Sequence, residues 1–139
     1  MLTTAILAAV TFLAVGSFHF AVLSRVASRL NTSGLSAGWH HFLLLGTIGL
    51  LHVFEAAVYS VAFRLGQSWG LGGFKTEGPL NFMDVYYFSI VNYTTLGLGD
   101  IYPSGHLRFL AGIESLEGFL LLSCSASYLF AFAKQRIKD

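Results

Sequence analysis

Ser89-Ile90-Val91-Asn92-Tyr93-Thr94-Thr95-Leu96-Gly97-Leu98-Gly99-Asp100 is the stretch whose reading decides the fold. It begins as a short apolar helix and ends in an alternating glycine run closed by an aspartate. In an ordinary strand, successive carbonyls point to opposite sides. Turning them all to one side requires a backbone that switches between left- and right-handed regions, and glycine enters the left-handed region without a Cβ penalty. Gly97 and Gly99 stand at every second position, where such a switch needs them. Aligned carbonyls of Thr95, Leu96, Gly97 and Leu98, with the Thr95 hydroxyl at the lower end, make a column of oxygens. Several such columns around one axis can replace a cation's hydration shell.

Upstream, Asn81-Phe82-Met83-Asp84 reads as a capping box, with Asn81 as N-cap and Asp84 at the third helical position. The helix it opens, 81–94, is roughly 21 Å long at 1.5 Å per residue, too short for a hydrocarbon core of about 30 Å. A helix that enters a bilayer and stops halfway aims the negative end of its dipole inward, which favours a cation there. Three longer apolar runs surround it: Thr3 to Leu23, 39–65 and 106–133. Gly66 to Leu80 is a glycine-rich turret, and Arg25 to Gly38 has the composition of a polar turn. The chain thus divides into 1–38, a peripheral transmembrane helix with its turn, and 39–139. The second unit comprises outer helix 39–65, turret 66–80, short helix 81–94, oxygen-lined strand 95–100 and inner helix 106–133. The expected fold is an all-α membrane protein with three transmembrane helices, a re-entrant helix and a loop.

Composition agrees. Hydrophobic residues make up 55% and charged residues only 11%, with mean hydropathy +0.67, against about 25% charged in soluble domains. A formal net charge of +1 gives no reason to expect nucleic acid. Cys124 is the only cysteine, which excludes an intrachain disulfide. No Lys or Arg precedes the first apolar run, so it reads as a retained helix rather than a secretory signal. No helix carries repeated arginines, so no voltage sensor is expected. Arg25, Arg29, Lys134, Arg136 and Lys138 fall on one side of the membrane, and Arg64, Lys75 and Arg108 on the other. The positive-inside rule then puts the N-terminus outside, the C-terminus in the cytoplasm and the 95–100 loop on the outer side.

Thr94-Thr95-Leu96-Gly97-Leu98-Gly99-Asp100 resembles the selectivity filter of potassium channels, whose usual form is T-T-V-G-Y-G-D. The similarity runs from about Tyr86 to Phe132, with Leu51 to Leu65 as the outer helix. The resemblance implies a tetrameric potassium-channel pore in the cell membrane. Four identical chains would surround one axis, with the bilayer and three further copies as partners. Potassium ions, and no other cofactor, would sit at Thr95, Leu96, Gly97, Leu98 and Gly99. It implies filter support from Thr94 and Asp100, with Tyr87 hydrogen-bonded to that aspartate, and a hinge at Gly118. Helical steps onward from there put Phe119, Leu122, Ala126 and Phe130 on the pore side, Phe130 as the narrowest apolar ring. The sequence departs from the family at Leu98, where Tyr is commonest, and at Val91, where some bacterial members carry a Glu. Without the Tyr hydroxyl, a weakly selective monovalent cation channel is the alternative within the class.

Several polar residues lie deep in the apolar runs, where they are costly and face protein or water. Glu114 is expected behind the filter as a brace. Tyr86, Tyr87, Phe88 and Tyr93 are expected to form an aromatic cuff around it. His19 is expected to hydrogen-bond a neighbouring helix. His52 and Glu55, at i and i+3, share a helix face; their bond would hold that helix against its neighbours. A different class of function, an intramembrane metal or proton site, would use His52, Glu55, Glu114 and Glu117. His40 and His41 are adjacent and cannot share a face. Nothing in the chain reads as a catalyst.

Overall fold

The computed structural model describes residues 1–34 and 36–136. Its elements in order are α1 (Leu2–Thr32), α2 (Ala37–Ser68), β1 (Phe74–Lys75), α3 (Phe82–Tyr93), β2 (Tyr102–Pro103) and α4 (Leu107–Arg136). Leu2–Leu30, Gly38–Ser68 and Leu107–Lys134 are each long and apolar enough to cross a membrane. The protein is an all-α membrane protein.

α1 continues well past the expected end of the first apolar run. Arg25 to Thr32 is helical, and only 33–36 separates α1 from α2. The reason is periodicity. Leu23, Ala27 and Leu30 fall on one buried face, Leu23 and Leu30 packing with Leu44, Ile48 and Phe132, while Arg25 and Arg29 stay exposed on the other. An amphipathic stripe thus extends the helix beyond its uniformly apolar part. Ser33 N–H and Oγ both donate to the Leu30 carbonyl, at 3.1 and 2.8 Å. The His40 ring adds Nε2 to that same carbonyl at 2.7 Å, so the end of α1 is tied to the start of α2. The last part of the basic tail, Ile137 to Asp139, lies outside the described residues.

α1 packs against α4 as well as α2. The sequence placed it outside the outer helix alone; it lies instead in the groove between outer and inner helices. Ala8 and Val15 of α1 join the core made by Tyr59, Phe63, Val85, Tyr93 and Leu110. Small residues at the crossing let the backbones come close.

The turret is held at both ends. β1 pairs antiparallel with β2, Phe74 opposite Pro103 and Lys75 opposite Tyr102. Phe63, Phe74 and Phe88 form an edge-to-face triad with centroids 5.0–5.5 Å apart; such pairs contribute about 0.5–1.5 kcal/mol each. Gly72 is required here, since a Cβ on it would meet the Ser104 carbonyl oxygen at 2.1 Å.

Candidate functional site: the glycine strand and its supports

α3 starts where its capping box puts it. The Asn81 N–H donates to Asp84 Oδ2 at 2.8 Å, and the Asp84 N–H to Asn81 Oδ1 at 3.1 Å. The helix ends at Tyr93, with Thr94 as C-cap and its hydroxyl donating to the Ile90 carbonyl at 2.8 Å. The chain then folds back on the helix end. Thr95 N–H donates to the Asn92 carbonyl at 3.0 Å, and Leu96 N–H to the Val91 carbonyl at 3.0 Å. The orphan carbonyls of Val91 and Asn92 at the end of α3 are thereby occupied by amides of the strand.

Along the strand, positive φ recurs at every second residue: Thr95 at 59°, Gly97 at 60° and Gly99 at 80°. Leu96 and Leu98 between them do not share it. This is the alternation that brings consecutive carbonyls to one side. Among the described residues, the carbonyls of Thr95 to Gly99 accept no hydrogen bond from this chain. Residues 94–100 are all exposed in the single chain. Thr95 is the surprise. A β-branched residue in the left-handed region costs roughly 1–2 kcal/mol, and such strain concentrates at functional sites. The glycine pattern pointed to Gly97 and Gly99 and gave no signal for Thr95.

Tyr87 and Asp100 meet at the outer end. The Asp100 carboxylate, placed to accept from the phenol, holds the Tyr87 pKa above its ordinary value. Tyr102 lies beside Gly99, its hydroxyl 3.0 Å from where a Cβ would be. The expected aromatic cuff is otherwise not a cuff. Tyr86 donates to the Val53 carbonyl of α2 at 2.9 Å, Phe88 joins the turret triad, and Tyr93 donates to Glu55 at 2.6 Å. Three of the four anchor α3 to its surroundings, because only the side chain facing the strand exit can reach Asp100.

Glu114 braces α3, not the strand. Its Oε2 accepts from Asn92 Nδ2 at 2.5 Å, and its Oε1 is hydrogen-bonded with Ser89 Oγ. Ser115 Oγ donates to the Asn92 carbonyl at 3.0 Å. These three contacts fix the end of α3 against α4, one step behind the strand. Gly118 comes closer still. A Cβ there would lie 2.0 Å from the Tyr93 carbonyl oxygen. α4 is continuous through Gly118, so this glycine acts in close packing. Phe119, Ala126 and Phe130 are exposed on one face of α4, while Leu122 is half-buried against the core.

Glu55 is the centre of a second cluster. It accepts from Tyr93 Oη at 2.6 Å, from His52 Nδ1 at 3.0 Å and from His19 Nδ1 at 2.8 Å. Ser125 Oγ lies 3.2 Å from Nε2 of both imidazoles. His19, Ser125 and Tyr93 join His52 and Glu55, so all four helices meet here. Glu114 is absent from this group, and Glu117 has its own partner, Tyr59, at 2.5 Å. The four-residue intramembrane site read from sequence is therefore corrected: His52 and Glu55 come together with His19, while Glu114 supports α3. Sequence marked His19, His52, Glu55, Glu114 and Glu117 as buried and paired His52 with Glu55, but could not name partners 22 to 106 positions away.

A family described as ion channel matches residues 46–135. No characterised protein and no solved structure is significantly similar to the chain. The match covers α2 from residue 46 onward, the turret, α3, the glycine strand and nearly all of α4, leaving α1 outside. By this match over more than half its length, the chain belongs to the ion-channel family.

Proposed function

We propose that the chain forms a potassium-selective pore in the cell membrane, as a homotetramer with the glycine strand on its axis. The carbonyls of Thr95, Leu96, Gly97 and Leu98, with the Thr95 hydroxyl, hold dehydrated K⁺ in a row, and Gly99 closes the column at its outer end. The observation that carries this reading is the alternation of positive φ at Thr95, Gly97 and Gly99, together with carbonyls that find no partner among the described residues of their own chain. One strand cannot enclose an ion, and identical chains close most readily about a symmetry axis. Only about a third of each apolar span is buried within the chain, which leaves ample surface for three neighbours and for lipid. The N-terminus lies outside and the C-terminus in the cytoplasm.

Asp100 raises the local cation concentration at the outer mouth. Below, Phe119 and Ala126 line the path from the exposed face of α4, Leu122 packing instead against the core, and Phe130, 71% exposed in the single chain, makes the apolar constriction where conduction can stop by dewetting. The test is flux of K⁺, Rb⁺, Na⁺ and Cs⁺ through liposomes holding the purified chain alone, with Gly97→Ala beside it. A Cβ at Gly97 meets nothing within 4 Å, so its cost is the left-handed backbone, roughly 1–2 kcal/mol per chain. K⁺ and Rb⁺ flux that disappears in Gly97→Ala supports the pore; no flux from the pure chain, or flux unchanged in the variant, rejects it.

A further inference from the structure

We infer that His19, His52 and Glu55 form a binding site for a divalent transition-metal ion of the zinc class, distinct from the glycine strand. One ligand atom from each lies within 4.8 Å of the other two. In tetrahedral zinc sites, bonds of about 2.0–2.1 Å put ligand atoms roughly 3.4 Å apart. His19 Nδ1 and His52 Nδ1 already stand 2.8 and 3.0 Å from the two Glu55 oxygens, so small side-chain movements open the group around an ion. Tyr93 Oη, 3.0 Å from His52 Nδ1, closes the fourth side, as a ligand or through a water. The ligand chemistry selects the ion. Two imidazoles and one carboxylate suit Zn²⁺, Co²⁺ and Ni²⁺, whereas K⁺, Mg²⁺ and Ca²⁺ prefer oxygen alone.

Two further observations point to a cation. Ser125 Oγ holds Nε2 of both rings at 3.2 Å, the outer-shell contact that orients metal-bound imidazoles and fixes which nitrogen is free. Beside the group, Glu117 Oε1 is buried against Gly16 of α1 and, among the described residues, has no side-chain hydrogen-bond partner. A dication held by two neutral imidazoles and Glu55 leaves one positive charge, and a carboxylate at Glu117 balances it. His52, with 11% of its side chain exposed against none for His19, is the point of entry. Because His19 comes from α1, His52 and Glu55 from α2, and Tyr93 sits one residue before Thr94, the ion locks α1 onto the pore unit directly behind the strand.

The site does not depend on conduction, and its test reads binding alone. The detergent-solubilised full chain is titrated with Co²⁺ as an optical probe, then with Zn²⁺ and Mg²⁺ during thermal unfolding. One Co²⁺ per chain with the intense visible bands of a four- or five-coordinate site is expected, and Zn²⁺ but not Mg²⁺ raises the melting temperature. His19→Gln and His52→Gln each weaken Co²⁺ by at least 100-fold, Ser125→Ala by about 10-fold, and His106→Gln, on the exposed far side, leaves it unchanged. Absence of stoichiometric Co²⁺ in the unmodified chain, equal stabilisation by Mg²⁺, or full Co²⁺ binding in the His19→Gln/His52→Gln double variant overturns the assignment. The unmodified chain decides even where a variant does not fold.

Discussion

Gly118→Ala separates two roles for the inner-helix glycine. A Cβ there would lie 2.0 Å from the Tyr93 carbonyl oxygen, 2.8 Å from its carbon and 3.0 Å from the Tyr93 ring. Real Cβ atoms essentially never come within 3.0 Å of such atoms. α4 or the end of α3 must therefore retreat by about 1 Å, in an interior packed as densely as a crystal. The obstacle is backbone, fixed by the Thr94 and Thr95 turn, and cannot rotate aside. Overpacking of this kind costs about 1–3 kcal/mol, and alanine returns up to about 1 kcal/mol in helix propensity. A net loss of about 2 kcal/mol per chain corresponds to a folded population roughly 30-fold smaller relative to unfolded. Gly46→Ala is the control, on α2 with nothing within 4 Å; it gains propensity and meets no clash. Thermal unfolding in detergent, read by tryptophan fluorescence, should show Gly118→Ala melting several degrees lower and Gly46→Ala equal or higher. A hinge would give the opposite pattern, unchanged melting with altered channel opening. If Gly118→Ala melts with the unmodified chain, the packing argument is wrong.

Three other outcomes follow from the same contacts. Glu114→Ala empties a fully buried site and takes one of the two acceptors from the Asn92 amide, which keeps the Ala111 carbonyl at 2.9 Å; it should destabilise by about 2–4 kcal/mol. Glu114→Gln should retain most of that stability, since its amide can accept from Asn92 and donate to Ser89, whose own proton reaches the Ala56 carbonyl at 2.6 Å; denaturant unfolding of both variants checks this. Tyr87→Phe removes the phenol from Asp100 and should shorten the time conduction persists under steady K⁺ flux, without changing the melting temperature. Asn81→Ala deletes the cap that accepts from Asp84 N–H and should lower stability by about 1 kcal/mol, read again by thermal unfolding.

The sequence showed some of this and hid the rest for physical reasons. Local signals were legible: the capping box at Asn81 and Asp84, the apolar runs, and the alternating Gly97 and Gly99. The extent of α1 was obscured because Arg25, Ser28, Arg29 and Asn31 look like a turn, while the buried stripe of Leu23, Ala27 and Leu30 keeps the helix going. The left-handed Thr95 had no signature, because its conformation is imposed by the amides that fold back onto Asn92 and Val91. Burial of Glu55, Glu114 and Glu117 was legible from their place in apolar runs. Their partners were not, because Glu55 draws on α1 and α3 and Glu114 on α3, choices made by helix packing rather than by local sequence.

Bi-ionic reversal potentials, K⁺ against Na⁺, across membranes holding the purified chain alone test most directly that the Thr95–Gly99 oxygens replace water around potassium. Each tenfold in permeability ratio moves the potential by roughly 60 mV. A rigid oxygen column with Leu98 in place of Tyr predicts a shift of about 100 mV or more in the direction of K⁺ preference. A reversal potential near zero with sizeable Na⁺ current would contradict it.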